Sequence, residues 1–240
     1  NKAEILKFKK EHKTEIEFYC FIQYLFFTQW QELKQYANNK NIKIFGDLAF
    51  YPAGDSCDVW ANRDDFCFDE YDAPKGIAGV PPDYFSKDGQ VWGSPVYNVE
   101  NMKNNGYKFW LNRFKHAKLF FDVVRLDHFR GFEAFWVVKN YKATSAKNGK
   151  WVKGLGLEFF ETLKNKNIPT FVAEDLGIIT KGVKNLIDKL GIAGMKVFQF
   201  AFDGNAKNPY FPHNYTENCV AYLGTHDNNT FIGFLENEVS

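Results

Sequence analysis

Three short apolar runs in this chain each finish in acid: VVRLD (residues 123–127), FVAED (171–175) and YLGTHD (222–227). Strands this apolar are buried on both faces, and strands of that kind pair in parallel beneath helical crossovers. The chain supplies the crossovers. Residues 107–118 keep a helical pattern, and residues 180–190 place Val183, Leu186, Ile187 and Leu190 on one helical face. KIFGDLAF (43–50), carrying Asp47, and GMKVFQFAF (194–202) are further strand candidates. An order of strand, helical connection and strand, repeated, predicts an α/β fold with a parallel sheet covered on the outside.

Residues 4–38 read as one long helix or two shorter ones, with Ile16, Tyr19, Phe26, Trp30, Leu33 and Ala37 at near-helical spacing. Residues 51–106 have little regular pattern and are rich in Asp, Pro, Gly and aromatics. A stretch that long exceeds ordinary loops and points to a functional excursion. Residues 134–155 read as a second insertion.

The carboxyl ends of parallel strands are where α/β folds place their chemistry. Alternation puts Arg125 and Asp127 on one face; it also puts Glu174 with Val172 and sets Asp175 apart, as a support for the following turn. An Asp after a strand often only caps the next helix, and His128 or His226 alone is an ordinary polar side chain. Three acids at three equivalent places weigh the other way. In a barrel, Asp127, Glu174 and Asp227 converge above its centre.

The chain has 45% hydrophobic and 18% aromatic residues, more aromatic surface than a core alone requires. Clustered carboxylates can hold Mg²⁺, but this aromatic supply and the loop AGVPPDYFSKDGQVWGSP (78–95) fit a sugar better. Trp60, Trp92, Tyr84 and Tyr51 can stack on pyranose rings. The 30 Lys plus Arg and 29 Asp plus Glu leave a formal charge of +1, which steers towards neither nucleic acid nor an anionic membrane. No apolar run is long enough for a bilayer. Dinucleotide and P-loop glycine patterns are missing after the strands, and Ser56 has no nucleophile elbow. The 4 Cys lack ligand spacing and read as reduced thiols of a cytoplasmic protein. The first residue is not Met, so the chain reads as an excised portion of something longer; its oligomeric state is left open.

The stretches GDLAFYPAGDSCDVWAN, AGVPPDYFSKDGQVWGSPVYN, RLDHFRGFEAFW, AEDLGIIT, GMKVFQFAF, PHNY and GTHDNNT together are highly specific. By them the chain resembles the amylomaltase or disproportionating-enzyme family, the 4-alpha-glucanotransferases of glycoside hydrolase family 77. The resemblance implies an incomplete (β/α)₈ TIM barrel, approximately strands three to seven. All of residues 1–240 would belong to one catalytic barrel domain, with insertions at about 51–106 and 134–155. It implies Asp127 as nucleophile, Glu174 as general acid/base and Asp227 as the carboxylate that distorts and holds the donor sugar. Arg125 would orient the nucleophile, and His128 and His226 would bind sugar hydroxyls. Asp83, Tyr84 and Trp92 match the family's flexible loop over the acceptor subsites, and Asp47 and Tyr51 match residues near the glucan groove.

No cofactor and no metal is implied. The expected partners are α-1,4-glucan oligosaccharides such as maltose, maltotriose and maltodextrins. Ala49, VVKN (137–140), KGLG (153–156) and Phe234 depart from the family's habit and put subsite preference, not reaction class, in question. By this reading Asp127 and Asp227 raise the pKa of Glu174. An α-amylase-like hydrolase using the same acids, or a non-catalytic glucan-binding fragment, remains an alternative.

Overall fold

The computed structural model describes residues 2–82, 86–177 and 179–239. The amino-terminal helical region is two helices, α1 (Lys2–Glu11) and α2 (Lys13–Asn39), separated at His12. The next elements are β1 (Phe45–Leu48), α3 (Cys57–Ala61), β2 (Ile77–Val80), β3 (Gln90–Pro95), α4 (Val99–Asn104), α5 (Lys108–Phe120) and β4 (Val123–Leu126). They are followed by β5 (Ala134–Val138), β6 (Lys150–Lys153), α6 (Gly156–Thr162), β7 (Thr170–Ala173) and α7 (Lys181–Leu190). The last are β8 (Gly194–Val197), β9 (Cys219–Tyr222) and α8 (Phe231–Asn237).

The acid-tipped runs pair as expected. Strands β1, β4 and β7 form a parallel sheet in that order, and β8 pairs in parallel with β9. A parallel bridge between Val172 and Ala193 joins the two, with the Ala173 amide donating to the Ala193 carbonyl at 2.8 Å. Five parallel strands therefore stand side by side, β1-β4-β7-β8-β9. Helix α7 packs by the predicted face, burying Val183, Leu186 and Ile187. Thr180 caps its start, accepting from the Val183 amide, and Gly191 ends it in the left-handed conformation.

The region expected to lack pattern is more regular than its sequence implies. Strands β2, β3, β5 and β6 make a separate four-stranded antiparallel sheet, order β3-β2-β5-β6, so the molecule has mixed sheets. Alternation is hard to see there because the strands are short, Gly79 and Gly93 interrupt them, and the β2–β3 register shifts between Ile77 and Gly79.

An aromatic core lies under the ends of the parallel strands. Phe132 is fully buried, its ring centroid 4.9 Å from both Phe50 and Trp110 and 5.1 Å from Phe160. Helix α2 supports β1 and β4 differently, through its polar side chains. The Trp30 indole, Gln31 and Lys34 donate to the carbonyls of Phe120, Leu119 and Lys118, at 2.9, 2.8 and 2.8 Å. These are carbonyls that the end of α5 leaves without helical partners. The Asp122 carboxylate accepts from the Ile44 amide at 2.8 Å and from Asn38 at 2.9 Å, which fixes where β1 begins beside β4. The outer faces of α1 and α2 remain apolar and exposed, including Leu6, Phe8, Phe18, Phe21 and Tyr24. Among the described residues, no helix is long and apolar enough to cross a membrane.

Candidate active site

Parallel register brings the first two acids together. Leu126 pairs with Ala173, and the ladder continues one residue further: the Asp127 amide donates to Leu48 and the Glu174 amide to Leu126, both at 3.1 Å. Asp127 and Glu174 therefore end neighbouring strands, whose backbones lie about 4.8 Å apart. Two-residue periodicity turns both side chains to the face that carries Arg125 and Val172.

The next residue, His128, adopts φ 48° and ψ 48°, a left-handed conformation that costs a non-glycine residue on the order of 1 kcal/mol. The turn directs its amide onto the Glu174 carboxylate, donating to Oε2 at 2.9 Å. The same amide also acts on the Asp127 carboxyl, so one N–H stands between the two acids. Leu176 donates to the other Glu174 oxygen at 2.7 Å. The glycine that closes the motif, Gly131, presses against the Phe50 ring, where a Cβ would lie 2.5 Å from Cε1.

Arg125 is the cationic anchor of the site. It donates twice to Asp47, from Nε at 3.0 Å and Nη2 at 2.8 Å, and from Nη2 to Asp127 at 2.9 Å. Asp47 is the register partner of Arg125 on β1, so this fork follows directly from the strand pairing. Asp47, expected beside the groove, has its carboxylate engaged in holding this guanidinium. Burial pushes the Asp127 carboxyl above its ordinary value; Arg125 opposes that rise, while the charges of Asp47 and Asp227 add to it. Burial, helped by the charge of Asp127, pushes Glu174 up to about 7, against the Leu176 and His128 amides and Arg125. The sequence reading assigns that rise to neighbouring acids; the structure makes burial the larger cause.

A cleft of about 180 Å³ opens over Glu174, lined by Val80, Pro81, Gln90, Trp92, His128, Arg130, Leu176 and Gly177. A larger cavity, about 500 Å³, lies elsewhere, against α5 and lined by neither Asp127 nor Glu174. Trp92 stands edge-to-face over the His128 ring at 4.8 Å, and Tyr51 lies 6.1 Å from both rings. Burial holds the His128 imidazole neutral, its pKa lowered to about 3 with a contribution from Arg130. Burial likewise raises the Tyr51 phenol well above its ordinary value. His128 Nε2 and the Tyr51 hydroxyl are both buried with no partner among the described residues. Buried polar atoms of this kind call for a hydrogen-bonding ligand, and a sugar hydroxyl is one.

Other expected residues lie outside the hydrogen-bonded set around Asp127 and Glu174. Asp227 and His226 face each other at 3.4 Å with exposed side chains, and among the described residues neither hydrogen-bonds to Asp127 or Glu174. Asp83 and Tyr84 lie outside the described residues. Trp60, on α3, is 69% exposed and takes no part in the cleft. Asp175 has a structural task other than the expected support of the following turn: its carboxylate accepts from the Met195 amide at 2.6 Å and ties β7 to β8. Gly194 makes room for it, since a Cβ there would lie 2.7 Å from the Asp175 oxygen. Sequence reasoning missed Arg130, Gln90 and Gly177 as cleft residues. Only the second arginine of the RLDHFRG stretch gave a signal, and it was a weak one.

Comparison with known proteins finds matches along the whole chain. The glycoside hydrolase family 77 model, described as 4-alpha-glucanotransferase, matches residues 1–240. A 4-alpha-glucanotransferase of Clostridium butyricum is 47% identical over 235 residues, covering 97% of this chain and 48% of that protein. One from Synechocystis is 50% identical over 229 residues, covering 93% of this chain and 45% of that protein. Among solved structures, an amylomaltase from Streptococcus agalactiae in complex with acarbose superposes with a TM-score of 0.95 at 37% identity. That match covers 100% of this chain and 48% of the other. The chain thus spans about half the length of the curated relatives it matches.

Proposed function

This chain belongs to the 4-alpha-glucanotransferases of glycoside hydrolase family 77, and from that premise we propose that it is the central catalytic portion of an amylomaltase. The enzyme would move an α-1,4-glucan segment to the 4-OH of glucose or of a second glucan. The five parallel strands would be strands three to seven of a (β/α)₈ barrel. Residues 51–106 and 134–155 would be insertions in that single domain, and polypeptide beyond this chain would complete the barrel. The outer edges of β1 and β9, unpaired among the described residues, the exposed apolar faces of α1 and α2, and the half-length match to relatives support this reading.

The observation that carries the chemistry is the pair at adjacent strand tips. One carboxyl, Glu174, is pushed to about 7; the other, Asp127, is bound by a guanidinium. Protonated Glu174 gives its proton to the glycosidic oxygen as Asp127 attacks the anomeric carbon, forming a covalent glycosyl-enzyme. Glu174, now a carboxylate, takes the proton of the incoming sugar hydroxyl, and that hydroxyl oxygen displaces Asp127. Both displacements invert the centre, so the α linkage is retained. Asp227 and His226 would hold the donor sugar from the far side, and Tyr51, His128 and Trp92 would meet its hydroxyls and faces. The acarbose bound by the Streptococcus agalactiae amylomaltase supports an oligosaccharide ligand.

Maltotriose is the test substrate for the full-length polypeptide. Transfer yields glucose together with maltooligosaccharides longer than the substrate, while reducing ends stay constant. Steady growth of reducing ends would mean hydrolysis and reject the proposal. Binding without turnover would assign the site to recognition alone. The pH dependence follows from the sign of the Glu174 shift. An acid must carry its proton to act, so kcat/KM is expected to fall above about pH 7, tenfold per pH unit. Undiminished kcat/KM at pH 9 would remove Glu174 from that role.

A further inference from the structure

The loop that carries His226 and Asp227 is braced within itself. The Asn228 amide donates to the Thr225 carbonyl at 3.1 Å, and the Asn228 side-chain oxygen accepts from the Thr225 amide and hydroxyl, both at 2.9 Å. The Asp227 amide donates to the Thr225 hydroxyl oxygen at 3.3 Å. These bonds fix the shape of the turn, but none of them sets its place relative to Asp127, whose carboxyl feels the charge of Asp227. A residue of the neighbouring strand does that. Gln199 lies in the single 3₁₀ turn Phe198–Ala201 that follows β8, and it is buried, at 5% exposure. Its main-chain amide donates to the Leu223 carbonyl at 3.3 Å and its side-chain amide to the Asn229 carbonyl at 2.8 Å. One residue thus holds the loop at both ends. Gly224 makes room for it, since a Cβ there would lie 2.8 Å from Gln199 Nε2.

We propose that Gln199 is a positioning residue, which holds Asp227 against the donor sugar by tying both ends of its loop to the end of β8. This rests on the transferase reading above and adds to it the device that places the third carboxylate. The Asp227 side chain is exposed, so its direction is inherited from the backbone that carries it. A buried amide bonded to a carbonyl resists displacement, because moving the loop would leave both groups unsatisfied. Placement of this kind matters to rate: a shift of about 1 Å can cost on the order of a hundredfold. A carboxylate that distorts the donor sugar acts most strongly in the transition state, so a loosened loop lowers kcat and leaves KM in place. Transfer and hydrolysis share the donor sugar and the covalent intermediate, so the two fall together.

The experiment uses the full-length polypeptide, with maltotriose as substrate. Gln199→Met keeps the length of the side chain and removes its donor. It is expected to lower kcat about tenfold, with KM within about twofold of the wild type and the hydrolysis-to-transfer ratio unchanged. In an Asp227→Ala background Gln199→Met should cost nothing more, because the carboxylate it positions is gone. If Gln199→Met fails to fold, Gly224→Ala carries the same readouts, since its Cβ displaces the Gln199 amide and removes no donor. An unchanged kcat in the folded variant would overturn the proposal, as would a rise in KM alone or a loss that multiplies with that of Asp227→Ala. Full turnover in Asp227→Ala would overturn it too, since the loop would then hold nothing that the reaction needs. In each of these cases maltotriose transfer by the wild type would leave the function standing. Absence of that transfer would end both.

Discussion

Asp127→Ala in the full-length polypeptide is expected to lower transfer from maltotriose more than about a thousandfold, since the step that forms the covalent intermediate loses its attacking atom. Folding should survive, because Arg125 keeps its two bonds to Asp47 when Asp127 is removed. The shortened side chain leaves space for a small anion, and azide added at high concentration should recover part of the turnover. Azide attacking from the side of Asp127 gives the β-glycosyl azide. In Glu174→Ala, which keeps the nucleophile, azide intercepts the intermediate and gives the α anomer. Nuclear magnetic resonance distinguishes the two products. The reverse pairing of variants and anomers would exchange the assigned roles, and undiminished turnover in Asp127→Ala would exclude it as nucleophile.

Gly154→Ala should have a large effect on stability. A Cβ at this position would fall inside van der Waals contact with the backbone oxygens of Gly131 and Phe132, and backbone cannot swing away as a side chain can. The Gly154 amide also donates to the Glu133 carbonyl at 2.8 Å, joining β6 to the turn that follows Asp127. The substitution should cost roughly 3 kcal/mol or more, in the range of severe overpacking. Gly93→Ala is the matched comparison. A Cβ there meets nothing within 4 Å, and the φ of +77° alone should cost about 1–2 kcal/mol. Thermal or urea unfolding of both variants checks the difference; equal losses would show that the close approach at Gly154 relaxes at little cost.

Much of the site was legible because it sits on strands. Two-residue alternation was enough to align Arg125 with Asp127 and Val172 with Glu174, and the acid tips marked the end of the sheet where the proposed site lies. The helical face of α7 was legible for the same reason: a strong period leaves a strong pattern. The antiparallel sheet was hidden because Gly79, Gly93 and a register shift erase alternation over strands only 4 to 6 residues long. Asp47 was noticed but its task was not, since the fork with Arg125 depends on which strand lies next to which. Arg130 and Trp151, whose guanidinium and indole stack 3.9 Å apart in the structure, could not be joined from sequence. They lie on different segments, and neither a lone arginine nor a lone tryptophan announces a stack.

What the sequence determined by itself was the class of fold, the family, and the residue types available at each strand tip, because periodicity and local motif are properties of the chain alone. What only the tertiary structure decided was how those groups act on one another. Burial lifts Glu174 to about 7, a guanidinium is shared by Asp47 and Asp127, and one amide of a left-handed residue serves two acids. Charge, dielectric and hydrogen-bond geometry depend on distances through space, and those are set only when the strands take their neighbours.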